Sequence, residues 1–111
     1  MGFALTKAPS GVCRVSVEGQ LIVGNRQELK TVIQDAVDKG DRKFLIDFSQ
    51  TGYIDSSGLG ALVSLSKKVR ERGGELRLAG LNEDLRSLFE LTKLDTLFAI
   101  ADTPEQALAG F

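Results

Sequence analysis

The residues best suited to chemistry in this chain crowd into one hexapeptide, Asp55, Ser56, Ser57, Gly58, Leu59 and Gly60. Asp and Ser favour helix entries because their side-chain oxygens accept the unpaired N–H groups of a first turn. One such residue is enough for a cap, so the surplus hydroxyls need a reason. Two glycines then sit inside the same opening turn, where each costs about 0.8–1 kcal/mol relative to alanine. A serine hydroxyl in this setting has two chemical uses. It can be a nucleophile, or it can accept a group delivered by another protein.

The first use is poorly provisioned. The chain has no histidine, which removes every Ser-His-Asp or Cys-His set and every His-dependent metal site. Asp55 lies beside Ser56, but a lone carboxylate is a poor base for a hydroxyl, and D-S-S-G does not match the G-x-S-x-G elbow. A nucleotide cradle fares no better. Gly58 and Gly60 lack the third glycine of G-x-G-x-x-G, where Val63 stands, and they follow the capping residues instead of preceding them. No G-x-x-x-x-G-K-S/T occurs. What remains is a helix cap, or a hydroxyl that receives a phosphate. Small neighbours let a partner approach closely, and a helix N-terminus tolerates an anion. Phosphorylation would add a charge of about −1.5 to −2. Cap and switchable docking surface both stay open on spacing alone.

Composition narrows the rest. A chain of 111 residues reads as one domain, residues 1–111, long enough to bury a core without staples. With 42% apolar and 26% charged residues it has the balance of a soluble globular domain. A net charge of −1 leaves no electrostatic footprint for nucleic acid or an anionic membrane. No apolar run approaches the roughly 18 residues of a membrane span. The start, MGFALTKAPSG, lacks the charged opening of a secretion signal, and its Met-Gly with Thr6 is a weak myristoylation match. A cytoplasmic location is expected. The lone Cys13 falls with Val15 and Val17 on one face, alternating with Arg14, Ser16 and Glu18, and is expected in the core, without a disulfide or zinc role.

The elements that must position the hexapeptide follow from period and punctuation. GFALTKA and GVCRVSVEG, split by the turn PSG, predict an antiparallel hairpin. Leu29, Val32, Ile33, Ala36 and Val37 mark a first amphipathic helix, with Asn25 and Glu28 as a capping box and Gly40 as its stop. The apolar run 43–49 predicts a strand covered on both faces. A second helix starts at the hexapeptide and runs to about Arg72, with Leu59, Leu62, Val63, Ser66 and Val69 inward. Its basic run KKVRER is a solvated face. A strand at 75–80 leads to a third helix capped by Asn82, with Leu85, Leu88 and Phe89 inward. A strand at 96–100 precedes a last helix with Thr103, Pro104 and Gln106 as its start signal. Phe44, Phe48, Phe89 and Phe98 are core candidates, and Tyr53 is either packed on the sheet edge or exposed to a partner. The order ββαβαβαβα predicts a small α/β sandwich: a mixed, mostly parallel sheet of about five strands with about four helices. Function in such folds gathers where strands end and helices begin, here at 49–57, 80–83 and 101–104. Asp47 and Asp55 are the carboxylates such a junction could bring together.

From LIDFS through IDSSGLGAL, GGELRLAG, LFELTKL and FAIADTPEQAL, nearly the whole chain resembles a STAS domain, specifically a bacterial anti-sigma factor antagonist. The resemblance implies a partner switch. The unphosphorylated protein binds an anti-sigma factor that is also a serine kinase with a GHKL-type ATP site, and the sigma factor is released. The kinase phosphorylates the serine after the aspartate, which is Ser56 here, and the phosphoprotein no longer binds. A metal-dependent PP2C-type phosphatase restores it. Asp55, Ser57, Gly58, Leu59 and Gly60 match the surrounding docking motif. The family implies no cofactor for the chain itself, no catalytic or metal residue, no direct nucleic-acid contact, and a monomer when alone.

One turn departs from the family. Many members carry an acidic residue in a G-x-L-D turn before the first helix, and GQLIVGN places Ile22 there, followed by Val23. Within the same fold an alternative is a STAS subunit that is not phosphorylated and serves as an assembly adaptor of a membrane transporter. An enzyme is disfavoured by the missing acid-base set.

Overall fold

In the computed structural model, which describes residues 2–111, alternation and punctuation build a five-stranded sheet. Strands β1 (Phe3–Lys7) and β2 (Cys13–Val17) form the expected antiparallel hairpin. The strands β4 (Lys43–Asp47), β6 (Glu75–Ala79) and β7 (Ala99–Ala101) then add in parallel, in the order β1-β2-β4-β6-β7. Between them run α1 (Arg26–Asp38), α2 (Ser56–Glu71) and α3 (Glu83–Leu91), and α4 (Pro104–Ala109) closes the chain. A second, two-stranded parallel sheet pairs β3 (Gly19–Leu21) with β5 (Thr51–Ile54).

Register sorts the side chains. Leu5, Val15, Ile46, Leu78 and Ile100 stand opposite one another across all five strands. Val15, Ile46, Leu78 and Ile100 of this row pack against Leu29 and Ile33 of α1, Leu62 and Leu65 of α2, and Leu85 and Phe89 of α3, while Leu5 on the edge strand is exposed. The other face is covered only in part, where Ala107 and Leu108 of α4 close over Leu45 and Ala79. Phe44, Leu45 and Ile46 are therefore buried on both sides, as the unbroken apolar run predicts. Cys13 and the four phenylalanines singled out above are buried, Phe89 and Phe98 meeting edge to face with centroids 6.0 Å apart. Burial pushes the Cys13 thiol up to about 11, which makes it an inert core group.

Four expectations are corrected. The loop stretches 19–21 and 51–54 are short strands, too brief and too rich in glycine to show a period. The strand expected at 96–100 is only Ala99–Ala101, because Leu94–Thr96 turn as a 3-10 helix after Lys93 at φ 64°. Asn25 and Glu28 form no capping box; the Asn25 side chain is spent on the loop before α1. In α2, Leu65 and not Val63 faces the core: Leu65 is fully buried and Val63 is 37% exposed. By contrast, Asn82 caps α3 through Leu85 N–H, and Thr103 and Gln106 form a full capping box on α4. The run at 67–72 lies in solvent apart from Val69. No helix among the described residues is long and apolar enough to cross a membrane.

Candidate functional site

The β3–β5 pair is what carries the hexapeptide to the surface. The Thr51 hydroxyl donates to the Val17 carbonyl at 2.6 Å, tying the start of β5 to the end of β2. The ladder runs on through Gln20 and Leu21 opposite Tyr53 and Ile54. At its end the Asp55 N–H still donates to the Leu21 carbonyl, at 3.1 Å. Asp55 is extended (φ −91°, ψ 179°), the geometry of an N-cap, and α2 begins at the next residue.

Both oxygens of the Asp55 carboxylate are engaged within the chain. Oδ1 accepts the Gly58 N–H at 2.7 Å, which caps α2, and Oδ2 accepts the Val23 N–H at 3.1 Å. The cap therefore belongs to Asp55 alone, and the two serines are surplus to it. Ser56 is exposed at the first position of α2, and its hydroxyl has no hydrogen-bond partner among the described residues. Ser57 is half-buried.

The two glycines have different reasons. Gly58 is buried, and a Cβ there would run into the Leu21 carbonyl oxygen and come within 2.9 Å of Ile54 Cγ2. Its bare Cα lets α2 lie against β3, so it serves packing and not access. Gly60 has nothing within 4 Å of the place a Cβ would take. It is exposed and one turn after Ser56 on the same helix face, so it keeps the flank of the hydroxyl free of side chain. Val63 continues this outer stripe. Leu59 turns inward at 8% exposure and forms part of a groove of about 460 Å³ between α2 and α3. Tyr53, 57% exposed, lines the same groove with Ser56, Leu85 and Leu88. Of the two readings for Tyr53, exposure is the one observed.

Asp47 and Asp55 share no hydrogen-bond partner. Asp47 is buried at the end of β4, 2.8 Å from Arg14 Nη2, and takes both the hydroxyl and the backbone N–H of Ser49. Burial opposes its charge, but Ser49 and Arg14 outweigh that and hold the carboxyl below the usual carboxylate range. This is a structural ion pair at the end of β4, with no acid-base partner. Among the described residues no three His, Cys, Asp or Glu side chains gather as a metal site. Sequence reasoning gave Leu21 no role and noted Val23 only as a departure in the turn, although their backbone groups seat the cap residue Asp55. Neither has a local signal, because their roles depend on a strand pairing between distant segments.

Residues 4–107 match the family profile of the STAS domain. The chain is 31% identical over 101 residues to BtrV of Bordetella bronchiseptica, assigned as an anti-sigma factor antagonist, covering 91% of this chain and 87% of that protein. It is 31% identical over 91 residues to the anti-sigma-B factor antagonist of Staphylococcus aureus, covering 82% of this chain and 84% of the relative. Its fold superimposes on TM1081 of Thermotoga maritima, a protein given the same assignment, with a TM-score of 0.90 and 28% identity over 97% of this chain and 92% of that one. On these matches and this architecture, the chain belongs to the STAS-domain family of anti-sigma factor antagonists.

Proposed function

We propose that this chain is a phosphorylation-switched antagonist in which Ser56 is the phosphoacceptor. The observation that carries the reading is the division of labour at the start of α2: Asp55 makes the cap, and Ser56 stands exposed with its hydroxyl uncommitted. In the unphosphorylated state the surface around Asp55, Ser57, Gly58, Leu59 and Gly60 docks on an anti-sigma factor that is also a GHKL-type serine kinase. The sigma factor is displaced by that docking. Gly58 contributes by letting the helix pack close to β3, and Gly60 by leaving the hydroxyl approachable.

The transfer itself is the partner's chemistry. Ser56 Oγ attacks the γ-phosphorus of ATP held by the kinase; the new O–P bond forms as the bond to the β-γ bridging oxygen breaks, and ADP leaves. The hydroxyl proton passes to a base of the kinase. The product dianion then faces the partner's phosphate-rich nucleotide site, where like charges at close range cost several kcal/mol, and the complex separates. In the free chain the same group sits at a helix N-terminus, which favours negative charge. A metal-dependent PP2C-type phosphatase removes it. The chain works as a cytoplasmic binding switch, not as an enzyme, and is a monomer when alone.

Phosphopeptide mapping of the protein from its own cells, grown with and without stress, tests this directly. Phosphate at Ser56, abolished by Ser56→Ala with the fold retained, is the expected result. Absence of phosphate under every condition would sink the switch and favour the transporter-adaptor alternative, leaving Ser56 as a surface residue of a contact face.

A further inference from the structure

The β3–β5 pairing has a consequence beyond the cap. Gln20 stands opposite Tyr53 and Leu21 opposite Ile54, and the Asp55 N–H bond to Leu21 keeps the chains abreast where α2 begins. The ladder ends there, and Ile22 and Val23 turn away alongside Asp55, the residue before Ser56. The Asp55 carboxylate fastens this arrangement through the Val23 N–H at 3.1 Å. Two more bonds lock the turn. Asn25 Oδ1 accepts the Ile22 N–H at 2.9 Å, and Asn25 Nδ2 donates to the Gln20 carbonyl at 2.9 Å.

Surface turns usually turn polar side chains and free backbone donors toward water. Here the N–H groups of Ile22 and Val23 are both taken by side chains, and the group displayed outward is the Val23 isopropyl, 63% exposed. A rigid apolar tip loses little conformational entropy on docking, which favours contact over solvation as its role. Its backbone bond to Asp55 holds it next to the residue that precedes Ser56, on the surface where the switch requires a partner.

We propose that Val23 is a specificity-determining contact, seated against an apolar patch of the same kinase that phosphorylates Ser56, with Asp55 as the positioning residue that holds it there. This rests on the phosphoacceptor reading above. An acidic side chain at position 23 would be desolvated without a partner in that contact, whereas in the free chain it would remain in water.

The test uses the purified full chain carrying Ser56→Ala, so that binding is not consumed by phosphorylation, and the purified kinase shown to phosphorylate Ser56 of the unmodified chain. Val23→Thr, close in shape, and Val23→Glu are compared by calorimetric titration, with Leu5→Glu as a control on the distant edge strand. Val23→Glu is expected to weaken binding by about tenfold or more and Val23→Thr by less, with Leu5→Glu neutral and the melting temperatures of both Val23 variants unchanged. Binding by both Val23 variants equal to that of the Ser56→Ala chain, while Ser56 phosphorylation still abolishes binding, overturns the inference and leaves the switch standing. Failure to find any kinase acting on Ser56 is the different result that removes the switch and this contact together.

Discussion

Gly58 and Leu21 meet closely: the Cα in the first turn of α2 lies so near the Leu21 carbonyl oxygen that a methyl group would overlap it, and the Leu21 side chain stands beside the same place. Gly60, two residues on, has open space on the same test. The two glycines should respond in opposite directions to alanine. Gly58→Ala forces α2 away from β3, a fixed backbone neighbour, and is expected to destabilise by about 1–3 kcal/mol. Gly60→Ala removes only a helix penalty and is expected to stabilise the free chain by about 0.5–1 kcal/mol, while slowing phosphorylation of Ser56. Urea denaturation of the two variants decides it. Equal losses at both positions would mean that Gly60, too, answers to packing.

Asp55 joins two segments with one side chain, and its two oxygens separate in their effects. Asp55→Ala removes the cap and is expected to cost about 0.5–2 kcal/mol. Asp55→Asn keeps one acceptor for the Gly58 N–H and turns an amide donor toward the Val23 N–H. The Val23 amide is then expected to exchange with solvent about tenfold faster than in the wild type, with a smaller loss of global stability. Amide exchange followed by NMR reads both; an unchanged Val23 rate would show that the turn is held by Asn25 alone.

What could be read in advance divides along the range of each interaction. Thr103, Pro104 and Gln106 announce α4 because a capping box is written within four adjacent residues, and Asn82 does the same for α3. Asn25 carries the same kind of signal and misleads, since an Asn side chain serves a loop N–H as readily as a helix end. The row Val15, Ile46 and Leu78 was legible from apolar strand patterns; Val63 and Leu65 were exchanged because α2 packs on both the sheet and α1, which broadens its apolar face. Ser56 was visible as surplus to a cap. The reason for Gly58 was not, because it is a carbonyl on another strand.

Phosphorylation of Ser56 should alter affinity and leave the fold in place. The hydroxyl is exposed, and the Asp55 cap that holds the helix end does not use it. The dianion gains from the helix dipole by about 0.3–1 kcal/mol, offset in part by the adjacent Asp55 carboxylate. The phosphorylated chain is expected to keep its far-ultraviolet circular dichroism and to melt within a few degrees of the unmodified chain. A large loss of helical signal would instead place the switch in the fold itself.

The Arg14–Asp47 pair predicts how the domain meets acid. The Asp47 carboxyl is held below its ordinary range because Ser49 and Arg14 outweigh the opposing effect of burial. With a folded value under the unfolded one of about 3.9, its stabilisation is complete above that value and is lost as pH falls through the folded value. Asp41, lowered chiefly by its bond to Lys7, acts in the same direction. Stability in urea is therefore expected to be level from neutral pH down to about 5 and to fall below about 4. Asp47→Asn should lower the neutral plateau by about 1.5–3 kcal/mol, the scale of a hydrogen bond to a charged group, and flatten the acid limb. Arg14→Met should lower the same plateau and shift the acid limb to higher pH, because Asp47 loses one of the partners that favour its charge. If Asp47→Asn and the wild type fall along the same acid slope, the titrating group that protects this fold lies elsewhere than at the end of β4.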